Sequence, residues 1–135
     1  GALAEEHAGG SDGFVRALSV EGRHVWTHQF GTDAFDAVQG VAVTGDGTVV
    51  AAGRTDGQLG ALHSGSSDGF VRALDPEGQA MVTRQFGTDV CDDVTSVVVA
   101  PAGGVFVAGD TCGEFGGANP FNVDGFVHRV SLRGP

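Results

Sequence analysis

The sequence contains no lysine and no tyrosine, one methionine, one tryptophan and two cysteines among its 135 residues. All seven basic residues are therefore arginines, set singly against seventeen Asp and Glu, for a formal charge of −10. Phosphate backbones are bound by clustered Lys and Arg, so nucleic acid is excluded as a partner. The same deficit argues against anionic membrane surfaces. No apolar run approaches the roughly 20 residues of a spanning helix, so no membrane insertion is expected. A metal pair at the two cysteines is not expected, since no other soft ligands share their spacing. There is no Ser-His-Asp order with a nucleophile elbow, no phosphate-binding glycine loop, and no D-x-D-x-D-G spacing of an EF-hand. No signal peptide is visible, and the chain begins inside a repeat unit, so it reads as an excerpt or a mature fragment.

What is abundant is glycine, at 24 residues, beside Asp, Thr and Val. That mixture favours strands joined by tight turns. An apolar share of 41% is too high for a disordered chain. The acidity reads first as solubility.

The dominant signal is an internal repeat. Ser11-Asp12-Gly13-Phe14-Val15-Arg16-Ala17-Leu18 returns as Ser67-Asp68-Gly69-Phe70-Val71-Arg72-Ala73-Leu74, and again, degraded, as Val123-Asp124-Gly125-Phe126-Val127-His128-Arg129-Val130. Each shift is 56 residues, and 11–66 align on 67–122 without a gap at about half identity. The chain thus divides into a connection from a preceding unit (1–10), two full repeats (11–66 and 67–122) and the first strand of a third (123–135).

Each unit reads as four short strands, bounded by Gly and Asp. In the first they are a (14–18), b (24–30), c (38–44) and d (48–53); in the second, 70–74, 80–86, 94–100 and 105–109. Val41-Ala42-Val43 and Val49-Val50-Ala51-Ala52 are apolar on both faces, which suits sheets stacked between sheets. Four strands at a period near 50 residues predict an all-β chain of tandem four-stranded antiparallel blades of a β-propeller. Strands a to d of one unit are expected to form one blade.

The run Ser67-Asp68-Gly69-Phe70-Val71-Arg72-Ala73-Leu74-Asp75-Pro76-Glu77-Gly78 resembles the opening of the bacterial propeller repeat called SBBP. Thr83-Arg84-Gln85-Phe86-Gly87-Thr88 is similar to its second strand, and Gly47-Thr48-Val49-Val50-Ala51-Ala52-Gly53 with Thr55-Asp56-Gly57 to its closing hairpin. The resemblance implies a propeller in a secreted or cell-surface microbial protein, and no catalytic motif. Val50 stands where the family has an aromatic residue, and Trp26 becomes Val82 in the second unit, so the units are unequal.

Cys91 replaces Phe35 and Cys112 replaces Asp56, two changes in the same unit. The b–c loop and the d–a connection should emerge at one end, bringing the thiols together. A disulfide closing a loop of about 20 residues is expected, against two separate reduced thiols. It would fit an oxidising compartment.

Asp12, Asp68 and Asp124 open the three a strands. As a repeated column they read as turn caps beside Gly. Asp33 and Asp36, like Asp89 and Asp92, lie in the b–c loop. Ca²⁺ is the alternative, with Asp89, Asp92 and the adjacent Asp93 as the candidate ligands. His7 and His63 share a column in the d–a connection. With Asp33, Phe35 and Asp36 they are the candidate rim-binding residues. Trp26, Phe30 and Phe86 read as packing residues.

The expected function is a non-catalytic structural or protein-interaction scaffold at a microbial surface, needing no cofactor. The alternative is a lectin-like or Ca²⁺-dependent propeller with sites on the b–c rim, where Phe35, Phe115 and Phe121 are the available aromatics. The partner would be a protein or a glycan. Two blades and a strand do not close a ring, so further blades, or a trimer giving six blades, are expected.

Overall fold

The computed structural model describes residues 7–117 and 123–133. Nine antiparallel strands account for the regular structure, and the described residues include no helix. They are β1 (Gly13–Leu18), β2 (His24–Phe30), β3 (Asp36–Val43), β4 (Val49–Thr55), β5 (Asp68–Leu74), β6 (Ala80–Phe86), β7 (Asp92–Val99), β8 (Val105–Thr111) and β9 (Asp124–Val130).

The 56-residue repeat is a structural repeat. Both a–b hairpins bulge at one column, between Ala17 and Leu18 and between Ala73 and Leu74. Both c–d hairpins bulge between Val38 and Gly40 and between Val94 and Ser96. Opposite each c–d bulge stands a glycine with no room for a side chain: a β-carbon on Gly53 would lie 1.9 Å from the Ala37 carbonyl, and one on Gly109 1.8 Å from that of Asp93. All four hairpins close alike. Gly22, Gly47, Gly78 and Gly103 each adopt positive φ and donate to the carbonyl three residues back. This is the type I turn followed by a left-handed residue that suits the strand twist.

The sheets are phased differently from the repeat units. β1 and β2 form a two-stranded first sheet, β3-β4-β5-β6 a four-stranded second sheet, and β7-β8-β9 a three-stranded third. Strands c and d of one unit thus share a sheet with a and b of the next, and the expectation that a unit's own four strands form one sheet is corrected. The physical cause is the b–c loop. Phe35 makes a parallel bridge to Ser11, and the Asp36 N–H donates to the Ser11 carbonyl at 2.7 Å. These contacts lead the chain across to the next sheet. The connection 56–67 instead returns β4 onto its neighbour β5 in unbroken register. A periodic sequence reads the same from any starting point, so the repeat alone does not say where a sheet begins.

The sheets stack face to face. Val50, Ala52 and Val71 of the second sheet pack with Val94, Val105, Val107 and Val130 of the third. On the opposite face Ala51, Phe70 and Leu74 meet Val15 and Phe30 of the first. The second and third sheets meet chiefly where β3 and β4 pass β7, and less where β5 does. Phe70 and Leu74 are 0% exposed, while Phe14 and Leu18, the same columns in the first sheet, are 48% and 57% exposed. At the other end Val127 is 75% exposed, and its counterpart Val71 is 0% exposed.

Candidate functional site

One end of the stacked sheets collects the b–c loops, the d–a connections and almost all the unusual polar chemistry. Asp36 and Asp92 begin the c strands and lie fully buried. Each holds its own loop: the Asp36 Oδ2 accepts from the Thr32 N–H at 2.6 Å and the Thr32 hydroxyl at 2.8 Å. Asp92 Oδ2 accepts from the N–H and hydroxyl of Thr88 in the same way. The hydroxyl of Thr111, one strand away, donates to Asp92 Oδ1. Its counterpart Thr55 donates to the Gly57 carbonyl.

The second column of carboxylates faces the first. Asp12 Oδ2 accepts from the Gln29 amide at 2.8 Å and the Ala8 N–H at 3.0 Å. Asp68 Oδ2 repeats this with Gln85 and Ser64, at 2.8 and 2.9 Å. The Gln85 carbonyl oxygen also receives the N–H groups of Leu59 and Gly60, and its amide donates to the Gly57 carbonyl. A single glutamine thereby holds the first part of the d–a connection, at residues 57–60. The Gln29 hydrogen bond, and after it that from Ala8, holds the Asp12 carboxyl below its usual value.

Phe35 with Asp56, and Cys91 with Cys112, occupy equivalent places, and both pairs share a backbone hydrogen bond, from Asp56 N–H to the Phe35 carbonyl at 2.8 Å and from Cys112 N–H to the Cys91 carbonyl at 2.7 Å. In the first unit Arg54 clasps the junction. Its guanidinium grips both oxygens of Asp56 at 2.8 and 3.2 Å and lies over the Phe35 ring at 5.6 Å. It also reaches Asp93 of the third sheet at 3.4 Å, while Asp93 accepts from the Ser67 hydroxyl. The two carboxylates raise the guanidinium pKa further, the Asp56 hydrogen bond most. In the second unit Cys91 and Cys112 form a disulfide.

The structure therefore brings the sequence-derived candidates to one end and gives them unlike surroundings. Asp33 and Phe35 are exposed, but Asp36 is buried and engaged with Thr32. His7 Nδ1 lies 4.0 Å from Asp12, and His63 Nδ1 lies 3.3 Å from Asp68. Asp12 and Asp68 cap N–H groups four residues upstream. Asp124 opens β9. Asp89 is exposed in its loop, Asp92 is occupied by threonines and Asp93 by Arg54 and Ser67. Among the described residues no three His, Cys, Asp or Glu side chains cluster as a metal site. Phe115 stacks among Phe86, Phe126 and His128, and Phe121 lies outside the described residues. Trp26 packs between sheets and donates its indole N–H to the Pro76 carbonyl at 3.0 Å.

The residues that organise this end and escaped the sequence reading are Gln29 and Gln85, Thr32 and Thr88, Thr55 and Thr111, and Arg54. All but Arg54 are identical in the two units. Identity in a polar column, where solubility alone would let residues vary, was the available signal. Compared with known protein families and with curated proteins, the chain matches none of them.

Proposed function

We propose that the chain is a run of consecutive blades of a β-propeller of the SBBP type, serving as a non-catalytic scaffold at a microbial surface. The observation that carries this is the contrast between inner and outer sheets. Phe14, Leu18 and Val127 occupy columns that are sealed inside the stack at Phe70, Leu74 and Val71, yet are bare at its ends. Large exposed apolar patches mark contact surfaces, and the partner that already seals these columns within the chain is another unit of the same repeat. The disulfide suits a secreted or surface setting. Neighbouring blades come from a longer chain or from other copies, and three copies would make six blades. Protein or glycan partners at the surface would meet the rim formed by the b–c loops.

Light scattering of the isolated chain tests the reading. Self-association is expected, as a closed trimer or as larger species, and Phe14→Glu with Val127→Glu should reduce it to monomer. A monodisperse monomer at high concentration, unaffected by those changes, contradicts the proposal.

A further inference from the structure

We propose that the facing carboxylates of Asp12 and Asp36 form a binding site for a hard divalent cation, Ca²⁺ before others, between the first and second sheets. The two side chains converge on Gly31. A β-carbon there would lie 2.5 Å from Asp12 Oδ1 and 3.1 Å from Asp36 Oδ2. Asp36 is fully buried, and the Asp12 side chain is 3% exposed. The Oδ2 atoms are occupied by Gln29, Ala8 and Thr32. The Oδ1 atoms of both residues are buried without a hydrogen-bond partner. Asp12, Asp36, Ser11 and Ala37 are also among the residues that line a cavity of about 270 Å³.

Two buried carboxylates need a counter-charge, which either a cation or a shared proton can supply. Among the described residues the only ionic partner of either is His7, 4.0 Å from Asp12. Ca²⁺ takes six to eight oxygens in flexible geometry. The two carboxylates supply the charge, and waters would complete the shell. With only two acidic ligands the affinity falls in the range of extracellular modules, a Kd on the order of 10⁻⁴–10⁻³ M.

The second unit is the internal control. At the equivalent pair, Asp92 has both oxygens engaged by Thr88 and Thr111, leaving only Asp68 Oδ1 open. The site therefore belongs to the first pair, away from the Asp89, Asp92 and Asp93 group singled out by sequence.

Equilibrium dialysis of the intact chain against radioactive Ca²⁺ after chelation, paired with thermal unfolding, tests this at matched ionic strength. Saturable binding is expected, with a Tm rise of roughly 5 °C at a tenfold excess over Kd. Asp12→Asn and Asp36→Asn should each weaken binding more than tenfold, while Asp89→Asn leaves it unchanged. Wild-type protein that takes up no Ca²⁺ at millimolar concentration overturns the proposal, however the variants fold. Binding that survives both Asp12→Asn and Asp36→Asn also overturns it, by placing the ion elsewhere on the acidic surface.

Discussion

Strands β1 and β5 carry the same residues, Gly-Phe-Val-Arg-Ala-Leu, and lead different lives. In β5 the Phe and Leu are sealed against the first sheet; in β1 they are about half exposed. β5 also has β4 hydrogen-bonded along its length, whereas among the described residues β1 pairs only with β2. The difference teaches that burial in this molecule belongs to position in the stack. A hydrophobic column becomes core only when a neighbouring sheet arrives to cover it.

The sharpest way to break this comparison is to truncate the twin phenylalanines. Phe70→Ala should cost about 3–5 kcal/mol, because it leaves a cavity between two sheets. Phe14→Ala should cost about 1 kcal/mol or less in the monomeric chain, with only partial burial to lose. Chemical denaturation measures both, and equal costs would mean that the first sheet is covered in solution.

The two junctions of the b–c loop and the d–a connection give a second contrast. Reducing the Cys91–Cys112 disulfide should lower stability by about 3 kcal/mol, since the bond restrains the unfolded chain over a separation of 21 residues. Asp56→Ala in the equivalent Arg54 clasp should cost about 1 kcal/mol or less, because partly exposed ion pairs contribute little. Thermal unfolding with and without reductant, beside the variant, ranks the two devices.

A smaller effect separates the paired threonines. Thr111→Val removes the hydroxyl that satisfies buried Asp92 and should cost about 1–3 kcal/mol. Thr55→Val, whose hydroxyl serves a carbonyl, should cost about 1 kcal/mol. Denaturation midpoints resolve the order.

The smallest effect concerns acid. The folded Asp12 carboxyl titrates below its ordinary 3.8, so its contribution is present above that value and is lost as pH falls through the lower, folded one. Gln29→Ala removes the largest cause of the depression and should move the acid-unfolding midpoint upward. Trp26 fluorescence follows the transition, and an unchanged midpoint would show that Gln29 is not the cause.

Much of this was legible in the sequence. The strands, the turn glycines and the meeting of Cys91 with Cys112 all follow from alternation, turn chemistry and the 56-residue register, which are local or periodic properties. The carboxylate network was only half legible. Asp12 and Asp36 stood out as loop acids, but nothing in their spacing said that they face each other across Gly31, because they belong to different sheets.

The sequence by itself determined the all-β character, the repeat and the identity of equivalent columns, since each rests on side-chain period and backbone preference within a few residues. Only the tertiary structure decided which strands share a sheet. It also decided which twin of each pair is buried and which acids are left with unpartnered oxygens. Those outcomes depend on where the b–c loop carries the chain and on what stacks above it, and a periodic sequence says the same thing at every turn of its cycle.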